Sequence, residues 1–212
     1  MKPKYLLIIV AFCVINFAAK SQTLSAINVK VTDFQVQLTT SKFIVGDVMI
    51  SVDSKGRVRC DRYFDYTDTH AEYDETTDNE WEFEHTGRIG RTKVAYLDQA
   101  DGFDNVGKVK SVGNVKITYY DRFDMDNQGK VKSIGNVTFT YYDRFDQDNK
   151  GKIKSIGDVK LTYYDRFDND NAGKLKQIGN TQFAYYDRFD GNRKGMVKSI
   201  KGKTELLNIY YM

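Results

Sequence analysis

The chain has 212 residues, with 15 tyrosines and 13 phenylalanines against one proline and two histidines. A hydrophobic fraction of 41 % excludes a disordered chain, and the abundance of Tyr and Phe favours strands over helices. The formal net charge of +3 rests on Lys2, Lys4 and Lys20 near the N-terminus. Without them acids and bases balance, which excludes the strongly basic character expected of a nucleic-acid binder.

Residues 1–21 have the layout of a secretory signal peptide. Lys2 and Lys4 precede an apolar run from Tyr5 to Ala19, and Ala19-Lys20-Ser21 supplies a small-residue exit. The run is short of the roughly 20 residues needed to span a bilayer. The expectation is an exported protein, periplasmic, surface-bound or extracellular, with no membrane span after cleavage. Cys60 is then the sole cysteine, so no internal disulfide forms. Val58 and Cys60 alternate with Arg57 and Arg59, which predicts a strand with a buried thiol.

Residues 26–38 alternate strictly, with one phase slip near Thr32-Asp33, and read as a bulged strand or as two strands. Residues 43–53 (FIVGDVMISVD) echo residues 155–165 (SIGDVKLTYYD), so a degenerate repeat begins there. Residues 61–84 interrupt the pattern with ten acids and one base, a net charge of −9. This insertion is expected to be solvated; its sharper readings are a cation site or an acidic docking surface. The repeat resumes at residues 88–98.

Gly107, Gly129, Gly151, Gly173 and Gly195 open near-identical copies 22 residues apart. The expected domains are residues 22–106, degenerate repeats with the acidic insertion, and residues 107–212, the regular repeats. Each copy holds two alternating segments around Val112-Gly113-Asn114 or its equivalent, the pattern of a β-hairpin. A two-residue Gly-Asn loop would set Lys110 against Ile117 and Lys108 against Tyr119. A three-residue loop with Asn114 in the left-handed region instead sets Ser111 against Val115, Val109 against Ile117 and Gly107 against Tyr119. The second register is the expectation, with each tyrosine ring covering a facing glycine. The fold class is all-β: tandem 22-residue antiparallel β-hairpins forming one curled or wound meander sheet. Its apolar face must be covered, since a lone amphipathic hairpin is not stable.

The connections between copies (Asp121 to Gly129 and its repeats) are turn chemistry. Phe123 is expected to tuck beneath its turn, and Arg122 to pair with turn aspartates. The spacing Asp124-x-Asp126-Asn127-x-Gly129 also offers hard oxygen ligands to calcium. Asp146, Asp148 and Asn149, then Asp168, Asp170 and Asn171, repeat the set. No glutamate follows at the twelfth position, so these are not EF-hands. Tyr120, Tyr142, Tyr164 and Tyr186 fall on the outer parity as an exposed stripe, a candidate surface for glycan or a protein strand; the plainer reading is that these rings only cover their neighbours. Tyrosines of successive copies lie two strands apart and are not expected to stack.

The pairing of Tyr142-Asp143 with Gly151-Lys152-Ile153 resembles the tyrosine-aspartate (YD, or RHS-type) repeats of bacterial surface proteins. That resemblance, over about residues 88–198, implies a wound β-sheet. Seven residues separate Asp143 from Gly151, more than in that family's short turn, so no functional residue is carried over. Catalysis is not expected. Only His70 and His85 could serve as histidine bases, and no nucleophile, zinc or phosphate-loop motif occurs. The sequence therefore predicts an exported, non-enzymatic structural or binding module without a cofactor. The alternative is a calcium-binding adhesion-type module.

Overall fold

A computed structural model describes residues 24–63 and 87–212. The expected signal peptide, most of the acidic insertion, Trp81 and both histidines lie outside the described residues.

The smaller of two sheets contains β1 (Leu24–Val31), β2 (Val36–Val45), β3 (Val48–Asp53), β4 (Val58–Arg62) and the C-terminal β16 (Leu207–Tyr211). Its order is β16-β1-β2-β3-β4, with β16 parallel to β1. The phase slip at Thr32-Asp33 is a hairpin turn, closed by hydrogen bonds between Thr32 and Gln35. Residues 43–53 form the facing parts of β2 and β3. Their Gly46 turn, at φ +58, matches the Gly157 turn at φ +56, yet it belongs to this separate sheet.

The larger sheet is an open antiparallel meander of eleven strands in sequence order. It starts with β5 (Arg88–Ile89) and β6 (Thr92–Tyr96). Four hairpins follow: β7 (Val109–Val112) with β8 (Val115–Tyr119), β9 (Val131–Ile134) with β10 (Val137–Tyr141), β11 (Ile153–Ile156) with β12 (Val159–Tyr163), and β13 (Leu175–Ile178) with β14 (Thr181–Tyr185). It ends with β15 (Val197–Lys201). Residues 88–106 are thus continuous with the regular copies. The expected repeat meander is present, and the smaller sheet covers it. Both sheets contribute to one core. Phe43 of β2 meets Phe139 of β10 across it, with ring centroids 6.1 Å apart. The outer face is polar; Thr118 and Ser133 share a hydroxyl hydrogen bond of 2.7 Å, and Thr140 and Ser155 repeat it.

The register differs from the expectation. Val112 faces Val115, and Ser111 faces Lys116. The loop is therefore the two-residue Gly113-Asn114 turn, with φ +55 at Gly113. Among the described residues only glycines have positive φ, as a turn with glycine at its first central position requires. The clash of parity that counted against this loop is removed by a bulge. Thr118 pairs with Ser133, but Tyr119 pairs with Val131, skipping Lys132. The same slip passes over Lys110, Lys154, Lys176 and Lys198. A bulge inserts one residue and reverses the side-chain parity, so Val131 and Ile134 both enter the core while Ser133 faces outward.

Gly107 does not lie opposite Tyr119 as expected, and a side chain there would meet nothing within 4 Å. The glycines that open later copies make room for lysine. A Cβ on Gly129 would lie 2.7 Å from the Lys108 ammonium, and the backbone there is at φ +78. The positive φ is what demands glycine, since the flexible lysine end could shift aside from a Cβ.

Candidate functional site

The turn from Asp143 to Gly151 shows how each connection is built. The Asp143 carboxylate accepts the Phe145 N–H at 2.9 Å, and the Asp146 carboxylate accepts the Asn149 N–H at 3.1 Å. These aspartates hold the turn by capping its own backbone. The Asn149 side chain is buried, and its carbonyl accepts the Lys152 ammonium at 2.9 Å. Lys152 reaches on to the Gly173 carbonyl at 2.8 Å, 21 residues away. It also lies 4.7 Å from the centre of the Tyr163 ring, an arrangement favourable to a cation. Burial pulls the Lys152 pKa below the ordinary lysine value. Lys130 and Lys174 repeat these contacts and the shift.

Arginine then clips each turn to the one before it. Arg144 reaches Asp126 at 3.0 Å, Arg166 reaches Asp148 at 3.1 Å, and Arg188 reaches Asp170 at 3.0 Å. The expected row of ion pairs is present. At Asp170 burial works against ionisation, but hydrogen bonds from Arg188 and Lys194 outweigh it and bring the pKa down to about 2.

These contacts account for all nine candidate calcium ligands. Asp124, Asp146 and Asp168 accept hydrogen bonds from their own turns. Asp126, Asp148 and Asp170 hold arginines. Asn127, Asn149 and Asn171 are buried and bind lysine ammonium groups. Among the described residues no group of three or more His, Cys, Asp or Glu side chains is placed to hold a metal ion.

The candidate tyrosines are half-buried, not an exposed stripe. The hydroxyls of Tyr120, Tyr142 and Tyr164 donate to the carbonyls of Phe139, Leu161 and Phe183, all at 3.0 Å. Their rings meet Tyr141, Tyr163 and Tyr185 of the next copy edge-on, with centroids 5.8 to 6.0 Å apart. Successive copies therefore do touch through tyrosine, because non-equivalent positions are neighbours. Tyr186 lacks a following full copy, and Arg193 lies 4.3 Å from its ring centre.

Comparison with protein-family models, curated proteins and solved structures finds no match.

Phenylalanine is where sequence reading failed most. Phe123 does not tuck under its turn. It is 80 % exposed, and Phe145, Phe167 and Phe189 are 87 %, 87 % and 91 % exposed. Phe103 and Met125 are exposed as well. No local signal marked it, because capping by Asp143 and Asp146 fixes the backbone of the turn and not the direction of the ring. Between neighbouring turns lies a groove of about 580 Å³, with Phe145 from one turn and Phe167 from the next. Tyr142, Gln147, Lys154 and Arg166 also line it.

A larger cavity of about 940 Å³ opens beside β4 and is lined by Arg59, Cys60, Tyr96, Lys108 and Tyr119, among others. Cys60 is half-buried rather than fully buried. Burial, then the adjacent Asp61, pushes its thiol up to about 12, so it stays protonated at neutral pH and is a poor nucleophile. Among the described residues no helix is long and apolar enough to cross a membrane.

Proposed function

We propose that this protein is an exported, non-enzymatic repeat module that holds a repetitive partner by multivalent contact along its row of turns. The observation that carries this reading is the exposure of Phe123, Phe145, Phe167 and Phe189 at one position of successive copies. The equivalent core positions Val131, Ile153 and Leu175 are fully covered. A solvated phenylalanine is a standing source of binding energy, about 1.5–3 kcal/mol when fully buried. Regular repetition lets weak contacts add through effective concentration. Export rests on the sequence of residues 1–21 alone. The calcium-dependent alternative has weaker support, because the turn oxygens already hold protein donors.

The test compares the wild-type chain with a variant carrying Phe→Ser at positions 123, 145, 167 and 189. Gel retardation is measured in a neutral polysaccharide, an acidic polysaccharide and a proline-rich peptide. The wild type should be retarded by at least one polymer and the variant by none, with unchanged circular dichroism. Equal retardation of both chains, or none of the wild type, would reject the reading.

A further inference from the structure

We infer that the partner is a neutral β-1,4-linked polysaccharide, seated across the grooves between successive turns. This rests on the proposed binding function and assigns it a ligand class.

The groove chemistry carries the assignment. One groove has Phe145 and Phe167 in its lining, with Gln147, Lys154 and Arg166 beside them. Arg166 already holds the Asp148 carboxylate and the Gln147 amide oxygen, so a sugar hydroxyl would meet the Gln147 amide N–H groups and the Lys154 ammonium over the Tyr142 ring. A pyranose ring presents apolar C–H faces and a rim of hydroxyls. Aromatic rings suit the faces, while amides, carboxylates and cations suit the rim.

Charge narrows the class further. Asp143, Asp146, Asp148 and Asp165 line this groove against only Lys154 and Arg166. The net charge of −2 within the groove itself disfavours an acidic polymer seated there.

The main chain argues against an added peptide strand. The N–H groups of Arg144, Phe145, Asp146, Asn149, Gly151 and Lys152 are all used within the array. An incoming strand needs free main-chain donors and acceptors at a sheet edge, and the turns offer few. A saccharide needs only side chains.

Spacing agrees. Equivalent turns are two strands apart, roughly 9–10 Å at about 4.8 Å per strand. A β-1,4-linked chain presents the same face at every second sugar, a repeat of closely similar length. The 22-residue period places Phe123 with Phe145 one turn earlier and Phe167 with Phe189 one turn later. Successive disaccharides would then meet the same phenylalanine pair in successive grooves.

The experiment is affinity electrophoresis of the full chain in hydroxyethylcellulose, with polygalacturonate and polyproline as comparison polymers and sedimentation velocity without polymer. Hydroxyethylcellulose should retard the wild type. The Phe145→Ser/Phe167→Ser double variant should bind at least about tenfold more weakly, as expected when neighbouring contacts act together. Cello-oligosaccharides long enough to cross two grooves should bind more tightly than those that fill one. Phenylalanine-dependent binding to polygalacturonate or polyproline alone would overturn the polysaccharide class and leave the binding module standing. A phenylalanine-dependent dimer without polymer binding would overturn the assignment in favour of a second copy of this chain. Retardation insensitive to the phenylalanines would overturn both proposals.

Discussion

Tyr142 donates its hydroxyl to the carbonyl of Leu161, 19 residues ahead, at 3.0 Å, while its ring meets Tyr163 edge-on. One side chain therefore fastens two copies by polar and aromatic contact together. Tyr142→Phe keeps the ring and loses the bond, and should cost about 0.5–1.5 kcal/mol. Tyr142→Ala should cost distinctly more, since such a ring pair is itself worth about 0.5–1.5 kcal/mol. Urea unfolding checks both. Two neutral substitutions would mean that this contact does not fasten the copies.

Lys152 is the second fastening. Lys152→Met removes the ammonium and leaves the buried Asn149 carbonyl and the Gly173 carbonyl without this donor. A buried unsatisfied acceptor costs about 1–3 kcal/mol, and the midpoint of urea unfolding should fall accordingly. Lys152→Arg should not fully restore it, because a planar guanidinium does not reproduce the compact ammonium that meets the Asn149 carbonyl, the Gly173 carbonyl and the Tyr163 ring together. Full stability in the methionine variant would contradict this.

Thermal unfolding in calcium and in chelator should give the same midpoint for the turns. Lysine ammonium groups already occupy the Asn127, Asn149 and Asn171 carbonyls, and arginines occupy the neighbouring aspartates. A calcium-dependent rise that disappears in Asp146→Asn would show that the cation displaces these donors.

Alkaline pH should unfold the protein. Burial raises the pKa values of Tyr119, Tyr141, Tyr163 and Tyr185 well above the ordinary tyrosine value. The folded state keeps these protons while the unfolded chain sheds them near pH 10, so stability falls as pH rises past about 10. Lys130, Lys152 and Lys174 act in the opposite sense below about pH 10.4, because burial lowers their pKa values. The tyrosine shifts are the larger, so the net effect is destabilising. Tyrosinate absorbance from the buried set should appear together with loss of circular dichroism. Its appearance in a chain that is still folded would contradict the burial.

The existence of the strands, the copy length and the Asp-rich turns between copies were legible because alternation and Asp/Asn/Gly chemistry are local. The register was not, since a bulge leaves no residue signature. Val131 to Ile134 can be read with Val131 and Ser133 on one face, and only pairing with Tyr119 and Thr118 shows that Lys132 is passed over. The exposure of Phe145 was hidden for a related reason. Phenylalanine is buried by default, and its fate in a turn depends on where the next turn lies. Asn127 was visible as a turn residue, but its lysine partner was not, because Lys130 looked like any outward strand lysine.

The smaller sheet also has a dimension built into it. Its β3–β4 turn accepts the Val131 N–H at the Gly56 carbonyl, and its β1–β2 turn accepts the Val197 N–H at the Asp33 carbonyl. Val131 and Val197 are the same position three copies apart. A duplication of 22 residues between them would satisfy every copy-to-copy contact yet carry one anchor out of reach of its turn. The cover thus acts as a ruler, and the number of copies beneath it cannot drift as freely as in an open-ended array.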